Sequence, residues 1–428
     1  MKLLLQKILT ALARAHIKKY EPMIIGVTGN AGKTSTKEAI AAVVGHVRTV
    51  RSAAGNLNNE FGFPLTVLGD WDREYYDRGS SPGLWFRVLW AGVIGLVYRN
   101  CPEVFLLEYG ADHPGDIRRL ARTFRPHIAV VTTVGPVPVH IEFFKDAEAL
   151  ADEKANLVKV LAPSGHAVLN HDDDRVLDMK EKTKAHIATY GFDDNSTVKV
   201  SDFEYKGTEE GKPVGVTFKL HQGSTFVPVT VNGSLGRSQA YAAAAAAAVG
   251  SILGMNLVQV SQALSGYHGP KGRLKILVGI KRSTIIDDTY NASPASTRLA
   301  LETLHDLPGL RKIAVLGDML ELGEHTIRAH QDAGTFAATF VDVLVCVGAR
   351  AKFIAEAASD QMSRDNIFTF DTSDDAKEEV RQLIREHDLV LVKGSQGIRM
   401  EKIVEEIMAE PENKKELLVR QSRRWLSK

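Results

Sequence analysis

Hydrophobic positions along this chain follow two rhythms. Short apolar runs alternate with stretches in which apolar residues recur at helical spacing. The runs at 23–28, 104–109, 128–133 and 167–170 predict strands, and 33–44 and 146–161 predict helices. Strands that alternate with helices in this way indicate a mainly parallel sheet covered by helices. Over 198–231 the texture changes. There "VKVSDFEYKG" and "VGVTFKL" alternate in period two around the turn signal "TEEGKP", which predicts an antiparallel hairpin region appended to the sheet. The alanine-rich "SQAYAAAAAAAVGSILG" then predicts a tightly packed helix.

The stretch "GYHGPKGRLKIL" interrupts the pattern, and a domain boundary is expected near Gly269. Beyond it "STIIDDTY", "KIAVLGDM", "VLVCVG", "NIFTF" and "LVLVKGS" predict strands with helices between them. The expected fold class is therefore α/β. A central domain over 23–268 has a mainly parallel sheet, and a smaller Rossmann-like α/β domain spans 269–428. Residues 1–22 read as an amphipathic helix, with Leu5, Ile8, Leu9 and Leu12 on one face and Lys7, Arg14 and Lys18 opposite. This segment lacks the apolar core and small-residue cleavage site of a secretory leader. The most apolar run, 84–98, is too short to span a bilayer and contains Arg87. It reads as a buried helix, with peripheral membrane contact as the lesser alternative.

Composition narrows the function classes. The 53 basic and 52 acidic residues leave a formal net charge of +1, so no bulk field favours nucleic acid or an acidic membrane. Two cysteines, Cys101 and Cys346, exclude a disulfide framework and a four-cysteine zinc site. They fit a reducing, cytoplasmic setting.

The chemistry starts at "GVTGNAGKTSTKE". A strand ending at Thr28, the loop Gly29, Asn30, Ala31 and Gly32, and a helix opening at Lys33, Thr34 and Ser35 form the context of a nucleotide phosphate loop. Lys33 would reach the β- and γ-phosphates, and the Thr34 hydroxyl would ligate Mg2+. The strict pattern has a glycine where Val27 stands. Such a loop implies nucleotide phosphate and magnesium without specifying the reaction. Glu108 emerges from an apolar strand, where a hydrated magnesium would serve as its charge partner. His140 and Glu142 follow another strand end. Lys154 lies within a helix and carries no role on its own evidence.

Eight stretches in order carry a resemblance: "GVTGNAGKTSTKE", "GNLNNEFGFPLTVL", "LEYGADHPGDI", "TTVGPVPVHIEFF", "LNHDDD", "IIDDTYNASPAST", "VLGDMLELGEHT" and "LVKGSQGIRMEKIV". Over about 23–404 the chain resembles the Mur ligases, and among them the type that adds D-alanyl-D-alanine to a UDP-N-acetylmuramoyl tripeptide. The resemblance implies an ATP- and magnesium-dependent ligase of cell-wall peptide synthesis. An acid is activated as an acyl phosphate, and an amine, D-alanyl-D-alanine or a related one, then attacks it. It also implies residue roles. Lys33 and Thr34 hold ATP phosphates and a first magnesium. Glu108, His140 and a carbamylated Lys154 serve a second. Arg273 meets the γ-phosphate, Asp288 the ribose, and Tyr290 and Asn291 lie beside ATP. Gln239 occupies the place of an adenine-side asparagine, with Ser238 beside it where the family has histidine. Asn56, Asn58 and Asn59 face substrate and γ-phosphate. Clustered asparagines also satisfy their own turns, and that reading stands beside the functional one.

One departure bears on substrate. Ligases of this type carry a UDP-sugar-binding domain ahead of the ATP loop, and here about 22 residues precede it. The expectation is a chain lacking that domain. Its partners would be a muramoyl-peptide-like acid and an amine, with no nucleic acid and no transmembrane anchor. The alternatives are another acid substrate, as in folylpolyglutamate synthases, and a non-ligating ATP-binding or ATPase module.

Overall fold

The computed structural model describes residues 2–53, 58–79, 81–98, 101–111, 113–135, 141–208, 211–309 and 311–426. Asn56 and His140 lie outside the described residues. Two sheets organise the chain. The first contains β1 (Met23–Thr28), β2 (Val50–Ser52), β3 (Val104–Glu108), β4 (Ile128–Val131), β5 (His166–Asn170), β6 (His186–Gly191), β7 (Val198–Gly207), β8 (Pro213–Gln222) and β9 (Thr225–Asn232). Their spatial order is β2-β3-β1-β4-β5-β6-β7-β8-β9. Pairing is parallel from β2 through β7 and antiparallel from β7 through β9. The hairpin region predicted over 198–231 is thus a three-stranded extension of the parallel sheet.

Position in the sheet explains the continuous apolar runs. β1 lies between β3 and β4, and from Ile24 to Thr28 every residue is buried. Strands covered on both faces need no polar alternation. The chain leaves β1 towards β2 on one side and leaves β4 towards β5 on the other. A crevice opens at such a switch point beyond the strands' carboxyl ends. The alanine-rich helix Arg237–Ile252 buries Ala240 and Ala242–Ala248, and it packs on the helix Lys33–Gly45 that opens from the phosphate loop. Alanine adds little bulk, so the two helices pack closely and the loop's helix is held on both sides.

The second sheet contains β10 (Lys275–Val278), β11 (Thr284–Asp288), β12 (Lys312–Gly317), β13 (Val343–Val347), β14 (Ile367–Phe370) and β15 (Leu389–Lys393), in the order β10-β11-β15-β12-β13-β14. Only β10 is antiparallel to its neighbour. The sheets meet at the linker, where Leu235 donates its N–H to the Leu274 carbonyl at 2.9 Å.

Two expectations are corrected. The run at 84–98 forms the helix Pro82–Val97, but it is not a buried helix. Leu84, Val88, Gly92 and Gly95 face inward, while Phe86, Trp90, Val93 and Val97 are 69%, 60%, 52% and 71% exposed. The helix packs on the N-terminal helix Lys2–Tyr20 and on the helix Gly62–Leu68, so it is covered on one side alone. In the N-terminal helix, Leu9, Ala13 and His16 are buried, whereas Ile8 is 45% exposed. The docked face is therefore rotated from the one the leucine pattern suggested. Among the described residues no helix is long and apolar enough to cross a membrane.

Candidate active site

The loop after β1 is shaped by two close approaches. Gly29 has φ 144°, and a Cβ there would sit 1.9 Å from the Thr132 hydroxyl. Gly32 has φ 82°, a left-handed conformation that glycine adopts without strain, and it opens the helix Lys33–Gly45. Thr132 donates its hydroxyl to the carbonyls of Thr28 at 3.1 Å and Ala31 at 2.7 Å. Asn30 donates its N–H to the Thr133 carbonyl at 2.6 Å and its amide to the Val134 carbonyl at 2.6 Å. Thr28 donates its hydroxyl to the Tyr109 carbonyl at 2.9 Å. The loop is thereby fixed to the strand ends on both sides, and the following helix turns its first-turn N–H groups towards the crevice. Ser35 is buried in that first turn.

Cations and one carboxylate converge on the loop. Lys33 folds back and donates to the carbonyls of Gly29 at 2.9 Å and Asn30 at 3.2 Å. Lys154, 2% exposed, donates to the Gly29 carbonyl from the other side at 3.1 Å. The Thr34 hydroxyl lies 3.3 Å from Glu108 Oε2, and Lys37 Nζ lies 3.9 Å from the same oxygen. Thr34 and Glu108 offer hard oxygen donors beside a phosphate-binding helix terminus, which fits Mg2+. Among the described residues no group of three or more His, Cys, Asp or Glu could hold a metal. A two-donor protein set suits an ion that keeps water and phosphate oxygens in its shell.

From the linker before β10, Arg273 lies over the Tyr290 ring at 4.1 Å. The two lobes enclose a cavity of about 840 Å3. Its walls bring together Lys33, Glu108, Lys154, Arg273, Tyr290 and Asn291, with Gly29, Asn30, Ala31 and Asn58. Lys33, Lys154, Arg273 and Arg399 outnumber the carboxylates Glu108 and Glu321 on these walls, so the space suits a polyanion.

Other expected residues stand elsewhere. Gln239 is fully buried behind the wall, donating its amide to the Arg273 carbonyl at 3.3 Å and accepting from the Tyr267 hydroxyl at 2.8 Å. Asp288 also stands behind it. Its Oδ2 accepts from Lys393 at 2.5 Å and its Oδ1 from the Leu274 N–H at 3.2 Å. Burial pushes the Lys393 ammonium below its ordinary range, and Asp288 opposes that shift. The asparagines divide between roles. Asn58 borders the cavity, while Asn59 Oδ1 accepts from the N–H groups of Phe61 and Gly62 at 3.1 and 3.0 Å. Among the cavity residues that escaped sequence reasoning are His113, Glu321, Arg399 and Trp425. The first three lie inside motifs carrying the resemblance, whereas Trp425 lies beyond them all.

Comparison with known proteins agrees with this fold. The Mur ligase middle domain matches residues 94–250, and the Mur ligase glutamate ligase domain matches 272–396. The chain is 30% identical over 405 residues to the UDP-N-acetylmuramoyl-tripeptide–D-alanyl-D-alanine ligase of Bacillus subtilis, covering 94% of this chain and 79% of the relative. It is 32% identical to the ligase of the same name from Mycobacterium bovis, covering 95% of this chain and 76% of the relative. The crystal structure of a MurF ligase from Thermotoga maritima in complex with ADP superposes with a TM-score of 0.76 at 25% identity, covering 96% of this chain and 84% of that one.

Proposed function

This chain belongs to the Mur ligase family and is an ATP-dependent ligase that forms carbon–nitrogen bonds, and on that premise we propose that it joins D-alanyl-D-alanine to the peptide carboxylate of a UDP-N-acetylmuramoyl tripeptide in the cytoplasm. The activity of the relatives, UDP-N-acetylmuramoyl-tripeptide–D-alanyl-D-alanine ligases, supports this substrate pair. One observation carries the site assignment. The phosphate loop, Glu108 and Lys154 of one lobe face Arg273, Tyr290 and Asn291 of the other across a single cavity.

The residue types fit the reaction. An acid carboxylate attacks the γ-phosphorus of ATP, and ADP leaves with the bridging oxygen. The acceptor amine then attacks the acyl carbon. The tetrahedral adduct expels phosphate, and the amine's proton passes to solvent. Carboxylate and triphosphate repel one another, so cationic charge between them is the main requirement. We assign that charge to Lys33 and Arg273. Thr34 and Glu108 would hold Mg2+, which supplies further positive charge at the phosphate oxygens. Lys154 would add a carboxylate for a second ion if it is carbamylated, as the resemblance implies. Asn58 is assigned to the face where the acid enters, and Tyr290 and Asn291 to the nucleotide. Gln239 and Asp288 are assigned support of Arg273 from behind. The lobes 23–268 and 269–428, hinged at 269–272, would close to exclude water from the acyl phosphate.

The test is phosphate release measured with acid and amine varied independently. Release that requires both the muramoyl tripeptide and D-alanyl-D-alanine supports the proposal. Equal release without amine makes the protein a hydrolase, and strict dependence on another pair reassigns its substrates.

A further inference from the structure

The helix Pro82–Val97 takes no part in the cavity. Its outer surface holds a concentration of exposed apolar side chains unmatched by any other element among the described residues. Among the described residues, nine of seventeen exposed large hydrophobic side chains belong to this helix with Tyr98 or to the N-terminal helix. Phe86, Trp90, Val93 and Val97 recur at helical spacing and form one stripe. The Phe86 and Trp90 rings are nearly parallel, at 7°, with centroids 6.4 Å apart. Tyr98, 72% exposed, ends the stripe. With aromatic side chains of about 150–250 Å2 each, the patch reaches several hundred Å2, the size at which an exposed apolar surface marks an interaction site.

Charge indicates what covers it. No acidic residue occurs from 82 to 98 or from 2 to 20, whereas Lys2, Lys7, Arg14, Lys18, Lys19 and Arg87 do. The two helices cross where His16 meets the Gly92 carbonyl at 2.6 Å and Tyr20 donates to the Gly95 carbonyl at 2.7 Å. Lys19 bonds the Leu96 carbonyl, so an ammonium sits against the last turn of the stripe. At the other end Arg87 pairs with Glu74 at 2.5 Å and lies over the Trp71 ring. The stripe is the convex side of a helix, and none of the molecule's main cavities is lined by Phe86, Trp90, Val93 or Val97. An apolar, aromatic ridge with a basic side chain at each end, Lys19 and Arg87, matches the boundary between acyl chains and anionic headgroups.

We propose that this helix docks the protein on an anionic membrane surface. The helix lies in the plane of the interface with Phe86, Trp90, Val93 and Val97 entering the acyl boundary, and Lys19 and Arg87 at its two ends reach the headgroups. At 16 residues it lies on the bilayer and does not cross it. The ligase reaction does not depend on this contact.

The test is co-sedimentation of the full chain with vesicles of phosphatidylcholine, alone or mixed with phosphatidylglycerol. Partition into the mixed vesicles is expected, roughly tenfold or more above phosphatidylcholine alone and weakened by salt. A Phe86→Ser/Trp90→Ser variant should lose about tenfold or more of that partition, with unchanged melting midpoint and ligase turnover. A second variant, Val93→Ser/Val97→Ser, should lose partition in the same direction. The proposal is overturned if neither vesicle binds the protein or if both variants bind as the parent does. It is also overturned if, without lipid, the substitutions convert a dimer to a monomer, which would make the stripe a contact between copies.

Discussion

Replacing Lys393 with methionine tests how the second lobe holds Arg273. Lys393 is 1% exposed, and its ammonium donates to Asp288 Oδ2 at 2.5 Å and to the Asn291 carbonyl at 2.9 Å. The Asp288 side chain is 8% exposed, and its other oxygen holds the Leu274 N–H next to Arg273. Methionine keeps most of the stem's volume, so the loss is electrostatic and leaves little cavity. Breaking one partner of a buried pair costs about 3–5 kcal/mol, because the remaining charge stays buried without its counter-charge. Burial already disfavours the charged lysine, which places the effect towards the lower part of that range. At about 2–4 °C per kcal/mol for a domain of this size, the melting midpoint should fall by roughly 10 °C. The double variant Asp288→Asn/Lys393→Met removes both charges and should regain most of the loss. Turnover in the single variant should fall about tenfold or more, since Asp288 without its ammonium anchor no longer fixes Leu274 in place and Arg273 loses its aim. Urea unfolding followed by circular dichroism, together with phosphate release, measures both effects. A single variant that loses less than about 1 kcal/mol, or a double variant as unstable as the two singles summed, would refute the reasoning.

Three further outcomes are expected. Lys33→Ala should abolish ATP-dependent amide formation while leaving the melting midpoint within about 2 °C, because its contacts are to loop carbonyls and not to the core; turnover that persists removes the loop from the chemistry. Glu108→Ala should raise the magnesium concentration needed for half-maximal turnover about tenfold or more, and an unchanged titration takes Glu108 out of the metal site. Burial pushes the Asp287 carboxyl up from 3.8 to about 6. The folded state therefore holds that proton more tightly than the unfolded chain. The associated stability is complete below about pH 4 and is lost as pH rises through about 6, by about 2–3 kcal/mol. Asp287→Asn lacks this dependence, so its stability relative to the parent should rise by that amount over the same window in urea titrations at stepped pH. A constant difference would contradict the assigned burial.

Much of the architecture was legible along the chain because it depends on neighbours in sequence. Apolar runs bounded by glycine, with helices between them, determined most strands of both sheets and the parallel arrangement, whereas β2, β6 and β10 are too short or too polar to stand out along the chain. The order Thr28, Gly29, Gly32, Lys33, Thr34 determined a glycine turn that opens a helix, since a left-handed turn leading into a helix needs little beyond those residues. Which surfaces meet was decided by the tertiary structure. The run at 84–98 carries the strongest burial signal in the sequence, yet half its circumference is exposed, because hydrophobicity states a preference and only docking supplies a partner. Asn58 and Asn59 are adjacent and identical, but one borders the cavity and the other caps a turn. Gln239 and Asp288 belong to recognisable motifs and stand behind the wall, their polar atoms already engaged by Arg273, Tyr267, Leu274 and Lys393. Trp425 reaches the cavity from beyond every motif because the chain's last turns fold back against the helix Asp72–Arg78 of the first lobe. Local pattern determines what an element is. The packing of distant elements determines which of its side chains reach the reacting atoms.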